Sequence, residues 1–159
     1  VQTVRWVGKK HLCGSELLAV PHLAPIKITA GAIGRGLPET DLYVSPQHRM
    51  LVEGAQAELL FGEPSVLVPA KAMINDKTIL TAHSDEGITY YHILFDRHEI
   101  IRANGCWSES FHPGSEGLRS VDDVAKEELF ALFPELQDGG TQRATCLPAL
   151  KPSEAALLH

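Results

Sequence analysis

The sequence has no excess of positive charge and no long apolar run. Lys and Arg number 14 against 20 Asp and Glu in 159 residues, so the formal net charge is −6. A surface of that sign does not neutralise a phosphate backbone, which argues against a nucleic-acid partner. Hydrophobic residues make up 44% of the chain, yet no uncharged stretch reaches the length of a transmembrane helix. The composition therefore predicts a globular domain with neither a nucleic-acid nor a membrane partner.

Cysteine is also scarce. Cys13, Cys106 and Cys146 form no Cys-x-x-Cys pair, lack the spacing of a structural zinc site and leave one thiol unpaired. A chain of this size can bury enough apolar surface to fold without disulfides. We therefore expect no structural disulfide, metal or cofactor.

Frequent turns are expected, because the chain contains ten Pro and 13 Gly. This pattern favours a mainly β fold of short strands and hairpins over long helices. Only two residues separate segments 88–95 and 98–103, which predicts a hairpin, and Asn104-Gly105 predicts a second tight turn. Strands are predicted at 4–9, 26–30, 41–45, 49–53, 57–61, 65–69, 88–95, 98–103 and 106–111.

The C-terminal part has a different pattern of apolar residues. Apolar residues recur at helical spacing over 121–133, Ser120 and Asp123 resemble a capping box, and Pro134 ends the pattern. A short terminal helix is predicted within 152–158. The expected organisation is a β domain over 1–114, N-terminally incomplete, and a helical extension over 115–159.

Three local features could carry chemistry. Residues 45–48, Ser-Pro-Gln-His, place a hydroxyl three positions before an imidazole at a bend, although Ser-Pro often only starts a turn. His92 and His98 bracket the tip of the predicted hairpin. Residues 104–106, Asn-Gly-Cys, form either a turn or a reactive thiol, and the turn is the default.

Together these motifs resemble the Hedgehog/intein (Hint) family of self-cleaving β domains. In that family a strand is followed by Thr or Ser, two residues and His, which here are Ser45 and His48. A later strand, a short turn, a His and a closing Asn-Gly match residues 90–105. The surrounding segments, at 5–8, 28–54, 68–74 and 109–114, resemble the bacterial Hint subfamily of large secreted or surface proteins.

The resemblance implies a Hint-type β fold and autoproteolysis, in which a Cys or Ser at the head of the domain attacks the preceding carbonyl. His48 would protonate the departing amide nitrogen or polarise the scissile bond, and Ser45 would hold that bond and its oxyanion. His92 stands where many inteins carry an acid and would transfer a proton. His98 matches a later family histidine, and a hydrogen-bonded core histidine is an equal alternative. The implied partner is the protein's own N-terminal segment or flanking polypeptide.

Two departures from the family pattern limit the expected activity. The sequence opens at Val1 and lacks the family's N-terminal segment, so we expect the nucleophile to be absent and the chain alone to be inactive. Residues 106–110, Cys-Trp-Ser-Glu-Ser, stand where inteins carry His-Asn. Asparagine cyclisation, and with it splicing, is therefore not expected, which leaves N-terminal cleavage.

Two other functions remain open. The first is a non-cleaving binding or structural module of a bacterial surface or secreted protein, which keeps the fold without the activity. The second is a zinc site in which His48, His92 and His98 bind the metal together with a water molecule.

Overall fold

A computed structural model describes residues 2–114, 118, 121, 123–137 and 144–158. The protein is mainly β, as predicted. Its strands are β1 Trp6–Leu12, β2 Ile26–Ile28, β3 Leu42–Val44, β4 Arg49–Glu53, β5 Ser65–Pro69, β6 Ile79–Thr81, β7 Ile88–Leu94, β8 Ile100–Ala103 and β9 Cys106–Glu109. Its α-helices are α1 Gly14–Ala19, α2 Ala55–Phe61, α3 Asp123–Leu132 and α4 Pro152–Ala155. Short 3-10 helices lie at Pro21–Leu23, Ala70–Met73, Pro134–Leu136 and Ala156–Leu158.

The chain divides into two compact units. The first, called here the β1–α3 unit, comprises Val1–His11, Thr89–Glu99 and Ser110–Cys146. The second, called the two-sheet unit, comprises Leu12–Ile88, Ile100–Glu109 and Leu147–His159. No helix within the described residues is long and apolar enough to cross a bilayer.

The β1–α3 unit is built on the pairing of β1 with β7. Strand β1 alternates as predicted, with Trp6 and Gly8 buried and Val7 exposed. The predicted helix over 121–133 is present as α3, while Ser120, the predicted cap, lies outside the described residues. The core of this unit consists of Trp6, Leu94, Val121, Leu129, Phe133 and Leu136.

The two-sheet unit contains a three-stranded sheet in the order β3-β2-β6 and a four-stranded sheet in the order β5-β4-β9-β8. The terminal helix α4 forms as predicted, and the segment before it hydrogen-bonds to β5, with Leu150 N donating to Leu67 O at 2.9 Å. In β2 the burial alternates, with Ile26 and Ile28 inward, whereas β5 is buried at four consecutive positions. The core includes Ile26, Ile28, Met50, Val66, Val68, Leu150 and Ala155.

The predicted hairpin between segments 88–95 and 98–103 is wrong. Strand β7 pairs with β1, and β8 pairs with β9 through Ala103↔Cys106. The second predicted turn is the real hairpin turn, because Asn104 and Gly105 adopt the positive φ values of 52° and 78° that a two-residue connection requires. A two-residue spacer between β-rich segments is therefore not enough to identify strand partners.

The predicted strand at 57–61 is also wrong, because this segment lies in helix α2. Its sequence, Ala-Gln-Ala-Glu-Leu-Leu-Phe, consists mostly of strong helix formers and no β-branched residue. Gly62 ends the helix in the left-handed conformation, with φ of 72°. Local propensity therefore outweighed the apolar character that suggested a strand. Helix α1 and strand β6 were not predicted.

Candidate functional site

Ser45 and His48 stand at the two ends of one β-turn that joins β3 to β4. The amide of His48 donates to the carbonyl oxygen of Ser45 at 3.0 Å, which closes the turn. Pro46 is buried at the first central position, where its fixed φ favours this conformation. The side chains of Ser45 and His48 are half-buried. The sequence motif therefore brings a hydroxyl and an imidazole to one rigid corner.

The same turn is attached to the 3-10 helix Ala70–Met73. The amide of Lys71 donates to the carbonyl of Pro46 at 3.0 Å, and the amide of Ala70 donates to the carbonyl of His48 at 2.8 Å. These two backbone hydrogen bonds therefore attach the turn to the 3-10 helix. Nothing in the sequence indicated that this segment supports the turn.

Glu109, at the end of β9, holds the residue that follows His48. Its Oε1 accepts the backbone N–H of Arg49 at 3.0 Å, and its Oε2 accepts from Arg49 Nη1 at 3.0 Å. Only 7% of Glu109 is exposed. Sequence reasoning missed this pair because the two residues are 60 positions apart. The sequence does show a charged residue in each of two predicted strands, and these strands pair in the fold.

His92 lies in β7, in the β1–α3 unit, where it is half-buried. Its ring contacts the ring of Phe111, with centroids 4.9 Å apart and planes tilted by 56°. Phe111 in turn lies 5.9 Å from the ring of Trp6. His92 is therefore part of an aromatic cluster in this unit.

His98 belongs to the same unit and is 5% exposed. Its Nδ1 accepts the backbone N–H of Cys146 at 3.1 Å and lies 3.3 Å from the Cys146 sulfur. The ring of His112 meets it edge-on, with centroids 5.2 Å apart. Because Nδ1 accepts a backbone hydrogen bond, the neutral ring carries its proton on Nε2. These contacts fit the core-histidine alternative.

The thiol and metal alternatives gain no support. Cys106 is buried, and this burial raises the pKa of its thiol, which disfavours the reactive thiolate. Asn104 attaches the turn to the segment at Thr40, because its Oδ1 accepts from the amide of Thr40 at 3.1 Å. Across the described ranges, no group of three or more His, Cys, Asp or Glu is arranged to hold a metal ion. The zinc hypothesis therefore lacks a site.

Comparisons with known proteins give one finding. A family model described as a Hint domain matches residues 1–115. Neither the curated proteins nor the solved structures give a match. The matched range contains the turn with Ser45 and His48, together with His92, His98 and Glu109.

Proposed function

This chain belongs to the Hint domain family, a family of intein-like autoprocessing domains, and from this we propose that Ser45 and His48 act on the peptide bond at the N-terminal junction of the domain. The substrate is then the protein's own flanking polypeptide, carried by a bacterial secreted or surface protein. The observation that supports this proposal is the single closed turn with the hydroxyl and the imidazole at its two ends.

The proposed reaction is an acyl shift followed by hydrolysis. A hydroxyl or thiol on the residue that follows the scissile bond attacks the preceding carbonyl carbon and loses its proton. The C–N bond breaks, the amide nitrogen gains a proton, and an ester or thioester remains. Water then attacks this carbonyl, which frees the upstream carboxylate and restores the hydroxyl or thiol.

The two side chains have different tasks in this scheme. His48 delivers the proton to the departing nitrogen, a contribution typically of about 10²–10⁴-fold. Ser45 donates a hydrogen bond to the scissile carbonyl, on which negative charge develops in the transition state. Because the turn is closed and hydrogen-bonded to residues 70 and 71, the backbone of both residues is held in place before the reaction.

The remaining histidines take lesser roles. For His92, which lies in the β1–α3 unit, a proton-transfer role rests on the resemblance to inteins alone. His98 keeps a structural role within the same unit, since its ring accepts the amide of Cys146. Strand β9 contains no asparagine, so the proposal is cleavage at the N-terminal junction without splicing.

The test uses the full-length natural polypeptide and follows its cleavage by gel electrophoresis and mass spectrometry. His48→Ala should slow cleavage at the N-terminal junction at least about tenfold, and Ser45→Ala should also slow it. His22→Ala is the matched control, because His22 is an exposed histidine of the same unit, and it should cleave at the wild-type rate.

Two outcomes would contradict the proposal. Cleavage of His48→Ala at the wild-type rate would remove the role assigned to its imidazole. Absence of cleavage in the wild-type polypeptide, with the fold intact, would favour the alternative of a non-cleaving binding or structural module.

A further inference from the structure

We infer that Glu109, together with Arg49, positions His48, so that a carboxylate on β9 sets the placement of the imidazole on the turn. This inference rests on the proposed function of His48. Glu109 is here a positioning residue, because it contacts the chain next to His48 and not the reacting bond.

Both peptide groups that flank His48 are hydrogen-bonded. The amide of His48 donates to Ser45 O at 3.0 Å, and its carbonyl accepts from Ala70 N at 2.8 Å. The next amide, that of Arg49, donates to Glu109 Oε1 at 3.0 Å. Backbone atoms supply the first two contacts, and a side chain supplies the third. Glu109 is therefore the point at which a substitution can release this backbone.

The sheet explains why a side chain is needed there. The β4–β9 ladder is formed at Met50↔Ser108, and Glu109 lies opposite Arg49 in the same register. At that position the carboxylate oxygen accepts the Arg49 amide, as a backbone carbonyl does within a ladder. Loss of this acceptor would leave the Arg49 amide without its partner at the start of β4, directly after His48.

The use of the carboxylate distinguishes this pair from an ordinary ion pair. A bidentate pair would spend both oxygens on the guanidinium, whereas Glu109 gives one oxygen to Arg49 Nη1 and the other to the Arg49 backbone. Arg49 Nε is buried and has no hydrogen-bond partner within the described residues. The Arg49 guanidinium thus leaves its Nε without a hydrogen bond within the described residues. Its charge neutralises the Glu109 carboxylate, which accepts the Arg49 amide.

The decisive experiment compares two double variants that differ in one acceptor. Arg49→Met with Glu109→Gln removes the buried charges but keeps an oxygen for the amide of residue 49. Arg49→Met with Glu109→Leu removes the charges and the acceptor. Both variants avoid an unpaired buried charge, so both are expected to fold.

The first readout is hydrogen exchange of the residue 49 amide in this chain, which requires no cleavage. The amide should be protected in the wild type and in the Gln double variant, and should exchange at least about tenfold faster in the Leu double variant. Glu53→Ala is the control, because Glu53 is a carboxylate at the other end of β4 that accepts from Ser65 Oγ at 3.3 Å. It should leave this amide protected.

The second readout is the cleavage rate of the full-length natural polypeptide. The Leu double variant should cleave at least about tenfold more slowly than the Gln double variant, as expected when a catalytic group is displaced. Val66→Ala, a core substitution on the neighbouring strand, shows how far loss of stability alone changes the rate. Urea unfolding of all the variants provides the correction.

The outcomes separate this inference from the proposed function. Equal protection and equal cleavage in the two double variants would overturn the positioning role. If His48→Ala abolishes cleavage while the Leu double variant cleaves as fast as the Gln double variant, the proposed function stands and the inference fails. If His48→Ala cleaves at the wild-type rate, the proposed function fails, and the inference built on it fails too.

Discussion

His48 and His98, one in each compact unit, are held in different ways. In the two-sheet unit, His48 is anchored through its backbone, by hydrogen bonds with Ser45 and Ala70, and its side chain is half-buried at the corner of a turn. In the β1–α3 unit, His98 is 5% exposed, and its ring accepts a backbone amide. The backbone of His48 is thus anchored on both sides, whereas the ring of His98 holds the segment at Cys146.

The proposed function assigns proton transfer to His48. A general acid needs a ring whose nitrogen can reach a substrate atom. The ring nitrogen of His98 accepts the Cys146 amide and is committed to the fold.

The largest effect that sharpens this comparison is on stability. His98→Ala should lower the free energy of unfolding by about 2–4 kcal/mol, because a buried ring is removed and the Cys146 amide loses its acceptor. Cys146→Ala keeps that amide, and should change the free energy by less than about 0.5 kcal/mol. Urea unfolding measures both variants. Equal losses in the two would show that the backbone hydrogen bond to His98 contributes nothing.

A smaller effect is expected at the hairpin turn that leads into β9. Gly105 and Gly62 both have positive φ, at 78° and 72°, so alanine at either costs about 1–2 kcal/mol. A Cβ at Gly105 would also lie 2.5 Å from Leu37 Cδ2, whereas one at Gly62 meets nothing within 4 Å. Gly105→Ala should therefore be the more destabilising of the two, by about 1 kcal/mol. Identical unfolding curves would contradict the turn as described.

The smallest effect concerns an exposed ion pair of the two-sheet unit. Lys27 Nζ lies 2.7 Å from Asp41 Oδ2, and the amide of Ala30 donates to Asp41 Oδ1 at 2.9 Å. The hydrogen bond from Lys27, followed by that from Ala30, lowers the pKa of Asp41 below its ordinary value of 3.8. The ionised form is therefore favoured by folding. The contribution of ionised Asp41 to stability is present above its pKa in the unfolded chain. It is lost as the pH falls through its pKa in the folded protein.

Carboxyl chemical shifts followed by NMR through acid pH measure this pKa. Lys27→Met should raise the Asp41 midpoint towards 3.8 and leave part of the shift, because the Ala30 amide remains. A midpoint at or above 3.8 in the wild type would contradict the ion pair. This pair also serves as a reference for the pair of Arg49 and Glu109, in which the Glu109 side chain is 9% exposed against 41% for that of Asp41.

Local patterns were enough to predict much of the fold. Short segments between turn residues identified β2, β4 and β5, the Asn104-Gly105 pair identified the β8–β9 turn, and helical spacing identified α3. Each of these signals is contained within about ten residues of sequence. The prediction of segment 57–61 failed because its residues favour a helix on their own.

Long-range pairing could not be predicted in the same way. The partner of β7 is β1, more than 70 residues earlier, and an alternating pattern does not specify its partner. The same limit applies to the candidate site. Ser45 and His48 were found because they lie three residues apart, whereas Glu109 and Arg49 meet only after β4 and β9 pair.

The central claim is that His48 promotes transfer of the upstream acyl group to a side chain, and trapping with hydroxylamine tests it most directly. Hydroxylamine attacks an ester or thioester and leaves a hydroxamate on the upstream fragment. The full-length natural polypeptide should release that fragment with the hydroxamate mass, and His48→Ala should release at least about tenfold less. Equal release from both, or release from neither, would contradict the account.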